Sequence, residues 1–334
     1  MNCHRVKNRR VDNMVKIDLI TGFLGAGKTT FIRNYAEYLM GKGENIGILE
    51  NDFGAVNVDM MLLQDLEGEH CELEMVSGGC DKDCHRRRFK TKLIAIGMCG
   101  YDRVLVEPSG VFDVDEFFDA LREEPLDRWY QVGSVLTVVD AHLSPDLSEE
   151  ADYILASEVA NAGKILLSKT EDASPEEIAD TKVHLNRALE GVQCSRRLDP
   201  EKDIFEKKWE DLTDEEWKVI SESGFHAESW RKLDLSEEEV FQSLYFMDQK
   251  TEVERAKTIA ENLLKDPSCG KVHRVKGFLL DERGQWLELN ATARELTVKP
   301  VAAGQDVIIV IGEKLDKEKV SSFFENAVVV HKNS

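Results

Sequence analysis

The sequence predicts an α/β fold in which a mostly parallel sheet, covered by helices on both faces, is followed by a small α+β C-terminal domain. Three observations support this. Apolar strand candidates alternate with amphipathic helical segments from Val15 to about Cys194. Those strands are almost continuously apolar, as strands must be when both faces of a parallel sheet are buried. Beyond about residue 199 the alternation stops, and a late group of strands around one long helix takes over. A length of 334 residues suits two domains, and 42% apolar content supplies two cores.

Residues 1–13 are basic, have no apolar run behind them and read as a disordered tail rather than an export signal. The domain 14–198 then carries the strands "VKIDLIT", "NIGILEN", "DRVLVEP", "SVLTVVD" and "KILLS". Between them lie the helical segments "TTFIRNYAEYLM", "CHRRRFKTKLIAIGM", "DVDEFFDALRE" and "PEEIADTKVHLNRAL". Residues 199–235 read as an acidic helical connector. From 199 to 270 twenty Asp and Glu stand against ten Lys and Arg, which marks either a solvated connector or an acidic docking surface. "TDEEWKVI" and "SEEEVFQSL" each place Thr or Ser three residues before Glu, the signature of a capping box that opens a helix. Residues 236–330 form the C-terminal α+β domain, with "FQSLYFM", the helix "EVERAKTIAENLLK", the strands "VHRVKGFLLD", "QWLELNA" and "DVIIVIG", and finally "KEKVSSFF".

Composition excludes some functions. A net charge of −21 is wrong for a nucleic-acid binder or an anionic membrane surface, because neutralising phosphates needs clustered Lys and Arg. No run of eighteen apolar residues exists to span a bilayer. Seven scattered cysteines without an export signal point to free thiols and a cytoplasmic setting.

The most specific local signal is "GFLGAGKTT", Gly22 to Thr30, which fits G-x-x-x-x-G-K-[ST] and lies between a strand and a helix. Gly22, Gly25 and Gly27, with Ala26, let the backbone curl its N–H groups around phosphate oxygens. Lys28 supplies a point charge to the β/γ-phosphates. The Thr29 hydroxyl suits Mg²⁺, Thr30 continues the first helical turn, and the helix dipole adds to the attraction. "VLVEPSG" ends a strand in Glu107, a candidate for holding Mg²⁺ through water, with Gly110 placed to sense a γ-phosphate. "ENDFG" brings Glu50, Asn51 and Asp52 to the same carboxyl edge, where open α/β sheets bind ligands. Asp52 is the candidate for orienting water. "LLSKTED" offers a base reader in which Ser168 stands where guanine-specific sites carry Asn. Lys169 is present, and Glu171 or Asp172 would accept from the base.

"GFLGAGKTT", "ENDFG", a Gly-Gly-Cys element, "VLVEPSG", "TVVDA", "LLSKTE" and a late "VHRVKGFLL" follow one another in an order that resembles CobW-like P-loop GTPases, relatives of the HypB and UreG metal-insertion GTPases. The resemblance runs from about Val15 to Phe324 and is weakest over 199–235. It implies a P-loop NTPase domain with a CobW-type C-terminal domain. It also implies hydrolysis of GTP with Mg²⁺, coupled to handling a transition metal or to servicing a client metalloenzyme or corrinoid-dependent enzyme. A nucleotide-dependent homodimer fits the same reading. Lys28, Asp52 and Glu107 would then carry catalysis by positioning and charge stabilisation. Turnover would be slow, since no Arg is obviously placed in cis.

The stretch "VSGGCDKDCHRRRFK" departs from the family, whose loop runs Gly-Cys-x-Cys-Cys and binds metal through its thiolates. Here Lys82 and Asp83 occupy the second and third cysteine positions, and Cys84 follows one later. Cys80, Cys84 and His85 remain a ligand set suited to Zn²⁺ or Co²⁺, with Asp81, Asp83 and Glu50 as oxygen donors. A partner-contact loop without metal and a redox pair are the alternatives. Arg86, Arg87 and Arg88 would lower the thiol pKa values but repel a cation. His70 and Cys71 read as an isolated pair, His273 as a satisfied histidine and Cys99 as a structural thiol. Two rival functions stay open: a nucleotide-dependent chaperone that binds no metal itself, and an ATP-using phosphotransferase.

Overall fold

A computed structural model describes residues 14–23, 25–52, 58–77, 82–108, 114–232, 240–324 and 329–330. The chain divides into two compact units, one comprising Met1–Phe53 and Leu63–Asp234, the other Gly54–Leu62 and Leu235–Ser334.

The first unit is built on seven parallel strands. In chain order they are β1 (Val15–Gly22), β2 (Ile46–Asp52), β3 (Cys71–Ser77), β4 (Arg103–Pro108), β5 (Tyr130–Asp140), β6 (Lys164–Ser168) and β7 (Ile204–Phe205). Their order across the sheet is β3-β2-β4-β1-β5-β6-β7, with β1 near the middle. The main helices are α1 (Lys28–Gly41), α3 (Lys82–Gly97), α4 (Val114–Arg122), α6 (Glu149–Ala160), α7 (Pro175–Gly191) and α8 (Asp214–Ser221); α5 (Leu126–Trp129) is a single turn. Ser174 and Glu177 close a capping box at the start of α7, and Thr213 and Glu216 do so at α8. Those two helices therefore begin where their Ser or Thr stands, because the side chains satisfy N–H groups that no helical carbonyl can reach.

Several elements went unread in the sequence, strand β3 and helix α6 among them. Strand β3 lies at the sheet edge, and in "CELEMVS" Cys71, Leu73 and Val76 are buried while Glu72, Glu74 and Met75 are half-exposed. Helix α6 buries eight of its twelve residues, so it shows no amphipathic stripe to read.

The acidic stretch after 199 is not a free solvated connector. Trp217 on α8 is buried and stacks on Tyr35 and Tyr38 of α1, with ring centroids 5.8 and 5.4 Å apart. Further on, the Gly224 carbonyl accepts from the Val135 N–H at 2.9 Å. The charges stay on the outward face, where Asp214 and Glu215 are exposed.

Beneath this contact lies a buried charge cluster. Asp18 and Arg103, 0% and 2% exposed, pair at 2.8 Å. Asp18 also accepts from the Tyr35 hydroxyl at 2.7 Å and the Ser134 N–H at 2.8 Å. Arg103 donates in turn to the Ser221 carbonyl at 3.2 Å. The cluster thus ties β1, β4, β5, α1 and α8 together, and a Cβ at Gly133 would fall 2.1 Å from the Asp18 carboxylate.

The second unit is a six-stranded antiparallel sheet in the order β11-β10-β9-β12-β8-β13. Its strands are β8 (Gln242–Met247), β9 (Lys271–Leu280), β10 (Trp286–Thr292), β11 (Leu296–Pro300), β12 (Val307–Glu313) and β13 (Val329–Val330). Helix α9 (Val253–Lys265) lays Ala256, Ile259, Ala260 and Leu263 against Phe246, Val275, Ile308 and Val310, and the short α10 (Lys317–Ser321) adds Val320. The short α2 (Val58–Met61) belongs to this unit, and its Asp59 accepts from Lys276 on β9 at 2.6 Å. The reading of "SEEEVFQSL" as a helix needs correction. Its opening lies outside the described residues, and from Gln242 onward the chain is strand β8, held by pairing with β12 that local helix signals do not encode.

Removing Asp18 takes away the buried partner of Arg103 and leaves only Glu44, 3.3 Å from its Nε and partly exposed, as counter-charge. Asp18→Ala should therefore lower unfolding free energy by about 3–5 kcal/mol, read from urea denaturation. A loss under about 1 kcal/mol would show that the cluster carries no such role.

Candidate functional site

Strand β1 ends at Gly22, whose φ of +148° and close approach to β5 both require glycine. A Cβ there would lie 2.2 Å from the Val138 carbonyl oxygen. The chain then curls through Gly25 (φ +78°) and buried Ala26, whose N–H donates to the Phe23 carbonyl at 3.0 Å. Gly27 (φ +88°) caps α1 with no side-chain hydrogen bond, and no acidic residue stands in the first turn. Half-buried Lys28 and Thr29 and exposed Thr30 open the helix, whose field at this end is positive and unopposed by local acid. Lys28 Nζ donates to the Gly22 carbonyl at 2.8 Å, so the lysine is folded back over the loop it serves.

Neighbouring strands end at the same edge. Glu107 on β4 and Glu50 on β2 are register partners, 5% and 4% exposed, so two carboxylates stand side by side next to the β1 corner. Asp52 closes β2; its side chain lies outside the described residues, as do Gly110 and Cys80. On the other side, Ser168 ends β6 within 3.8 Å (Cβ) of where a Gly27 Cβ would sit. Lys169, at φ +54°, points its ammonium to Asp140 at 2.6 Å. Asp140 also receives the His142 backbone N–H at 2.9 Å. Glu171 sits at the surface, 3.7 Å from Lys208, and the Asp172 N–H turns back to the Lys169 carbonyl.

On the metal side, Cys84 is half-buried on α3, and His85 is buried with Nε2 2.7 Å from Asn51 Oδ1 at the end of β2. Arg86 reaches Glu123 at 3.1 Å. Among the described residues no three His, Cys, Asp or Glu side chains gather at metal-binding spacing. His70 precedes and Cys71 begins β3, at the edge opposite the phosphate loop; His70 bonds Asn45 at 2.9 Å, and burial pushes the Cys71 thiol up to about 12. His273 bonds Glu313 at 2.6 Å in the second unit.

A sequence profile described as "CobW/HypB/UreG, nucleotide-binding domain" matches residues 16–195. The chain belongs to this family. Among relatives of this chain is the zinc chaperone YjiA of Escherichia coli (strain K12), 27% identical over 278 residues, which cover 80% of this chain and 82% of that protein. Another is the zinc-regulated GTPase metalloprotein activator 1 of Schizosaccharomyces pombe, 25% identical over 173 residues, 49% of this chain and 41% of that protein. A crystal structure of Zn(II)-bound YjiA GTPase from E. coli covers 93% of this chain and 98% of its own, at 21% identity and a TM-score of 0.40.

Sequence reasoning missed one residue beside the phosphate loop of this CobW domain. Glu158, near the end of α6, is 3% exposed and lies within electrostatic reach of Lys28. Its Oε2 is buried without a hydrogen-bond partner. Helix α6 is fixed there by the Thr137 hydroxyl, which donates to the Glu158 carbonyl at 3.0 Å and lies 2.9 Å from the Thr21 hydroxyl. A glutamate inside an apolar helix, "ILASEVA", was the available signal.

Burial pushes the Glu158 carboxyl up to about 7, with Lys28 and the Gly22 N–H pulling the other way. The folded protein therefore holds a proton that the unfolded chain releases near the ordinary glutamate value. Stability from this group is full below pH 4.5 and is lost as pH rises to about 7. Glu158→Gln should gain about 1–3 kcal/mol over wild type at pH 8 and nothing near pH 4.5; urea denaturation at both pH values checks this.

Proposed function

We propose that this CobW-family protein is a GTP-binding and GTP-hydrolysing switch that delivers a transition metal ion, Zn²⁺ before Co²⁺, to a client metalloenzyme or corrinoid-dependent enzyme in the cytoplasm. One observation carries the coupling. The Asn51–His85 hydrogen bond joins the end of β2, beside the phosphate loop, to the first turns of α3, which carries Cys84. A change at the β2 end therefore has a direct mechanical route to the cysteine helix. The names of the relatives, zinc chaperones and a zinc-regulated GTPase, support the cargo.

In this reading Lys28 leaves the Gly22 carbonyl to hold the β/γ-phosphates, and the loop amides with Gly22, Gly25, Ala26, Gly27 and Thr30 cradle them. The Thr29 hydroxyl and the Glu107 carboxylate are hard oxygen donors of the kind Mg²⁺ takes, and Mg²⁺ would supply charge neutralisation at the phosphates. Asp52 orients the attacking water, and Gly110 responds to the terminal phosphate. Ser168 and Lys169 lie beside the base, with the ammonium of Lys169 steadied by Asp140. Arg86 is committed to Glu123, so hydrolysis is slow until a client or a second copy supplies a cation.

A second reading, a nucleotide-driven chaperone that carries no metal, is favoured by two features of the loop. Lys82 and Asp83 stand in the family's cysteine positions, and His85 already spends one ring nitrogen on Asn51.

Lys28→Ala should cut GTP hydrolysis roughly a hundredfold or more in a phosphate-release assay; equal rates would remove the GTPase reading. Cys80→Ser with Cys84→Ser should weaken Zn²⁺ binding by at least about tenfold in a chelator competition. Unchanged affinity would favour the chaperone without metal.

A further inference from the structure

Strands β5 and β6 end side by side, with Asp140 and Ser168 as register partners. The two loops that leave them stay joined, because the Ala141 N–H donates to the Ser168 carbonyl at 3.0 Å. Ser168 in turn lies 3.8 Å (Cβ) from where a Gly27 Cβ would sit, so this pair of loops flanks the phosphate loop. One carboxylate organises the pair. Asp140 Oδ2 accepts from Lys169 Nζ at 2.6 Å, and Oδ1 accepts from the His142 backbone N–H at 2.9 Å and from its Nδ1 at 3.1 Å. The histidine is thereby fixed twice, and its side chain is 10% exposed. An ionised carboxylate can only accept, so the ring proton sits on Nδ1, and a neutral imidazole keeps a lone pair on Nε2. That nitrogen has no hydrogen-bond partner among the described residues. The groups that the sequence offers as base readers are committed elsewhere. Ser168 Oγ donates to the Val139 carbonyl at 3.4 Å, Glu171 lies at the surface 3.7 Å from Lys208, and Asp172 is exposed.

We propose that His142 reads the nucleotide base, its Nε2 accepting from the N1–H or the 2-amino group on the donor edge of guanine. Lys169 lies beside the base, and the carboxylate it shares with His142 holds the imidazole within reach of the same ring. Asp140 thus serves both residues: it steadies the ammonium, and it turns Nε2 away from itself with the lone pair exposed to a ligand. Guanine offers two donors at that edge. Adenine offers a bare N1 and a C–H there, so the Nε2 lone pair would face another lone pair and stay unmatched. An acceptor left unpaired in a largely enclosed site is costly, and that cost is what separates the two bases. Preference for guanine is then carried by the loop after β5, while the loop after β6, where Ser168 stands in place of Asn, supplies the lysine. This assignment rests on the reading of Lys28 as the ligand of the nucleotide's phosphates.

The test is calorimetric titration of the full chain with Mg·GDP and with Mg·ADP in mildly alkaline buffer. Wild type is compared with His142→Phe, which keeps a ring without an acceptor, and His142→Gln, which keeps an acceptor. Wild type should favour GDP by about tenfold or more, as one well-formed hydrogen bond allows. In His142→Phe the dissociation constant for GDP should rise about tenfold while that for ADP stays within about twofold, and His142→Gln should recover part of the preference. Equal losses for both nucleotides in His142→Phe, no loss for either, or a wild type that does not prefer GDP would overturn the role of His142 and leave the phosphate reading standing. Should neither variant accumulate folded, the imidazole ¹⁵N spectrum of wild type decides. One lone-pair ring nitrogen must shift with Mg·GDP and not with Mg·ADP, and the absence of such a shift overturns the proposal. If wild type binds neither diphosphate nor the matching triphosphates, the reading of Lys28 falls and this assignment with it.

Discussion

The close approach of β1 to β5 at Gly22 is the constraint on which the rest of the first unit depends. With 2.2 Å between a hypothetical Cβ and the Val138 oxygen, no side chain can occupy the corner, so the strand can bend into the phosphate loop only here. Everything needed at the sheet edge then follows from that bend. Helix α1 starts with its N–H groups facing the cradle, Lys28 folds over it, and Glu50 and Glu107 stand on the adjoining strands. Lys28 Nζ holds the Gly22 carbonyl, so the corner is fixed by a charged hydrogen bond as well as by space.

Further back along β1 the strand is anchored by a buried cluster built on the Asp18–Arg103 pair. Asp18 and Arg103 would be costly to bury alone, and the Tyr35 hydroxyl, the Ser134 N–H and the Ser221 carbonyl supply further hydrogen bonds, while Arg103 Nε is buried without one. Because Ser221 lies at the end of α8, the cluster also registers the acidic stretch against the sheet. The aromatic stack of Trp217 on Tyr35 and Tyr38 does the same by packing. Negative charge on this stretch is thus a surface property of a docked element, since its apolar residues face inward.

The five main strands of the first unit and the phosphate loop were legible because their signals are local: continuous apolar runs, and glycines at the spacing a phosphate demands. Strand β3 was hidden by its place at the edge, where one face alternates with solvent. Helix α6 was hidden because burial on all sides erases the stripe that periodicity needs. Glu158 lies on that unread helix, and Lys28, the cation in its electrostatic reach, is more than a hundred residues away in sequence, so only the fold brings them near. The same limit applies to Asn51 and His85, which were read separately as a residue of the ligand-binding sheet edge and as a metal ligand, and to Asp140, which steadies Lys169. For β8 the capping-box pattern of "SEEEV" pointed to a helix, and long-range pairing with β12 decided otherwise beyond Gln242.

The second unit borrows α2 from the middle of the first, and Asp59 meets Lys276 across 217 residues of sequence. On the ribosome that separation is a delay. At ordinary elongation speeds, roughly 10–40 s pass between the emergence of Asp59 and that of its lysine. The early segment must stay soluble and unclaimed throughout, while the sheet on either side of it is free to form. Its four residues, "VDMM", are too few to nucleate a helix alone. Neither unit can be obtained intact by a single cut in the gene, and any transplant of the later sheet must carry this short piece of the earlier sequence with it.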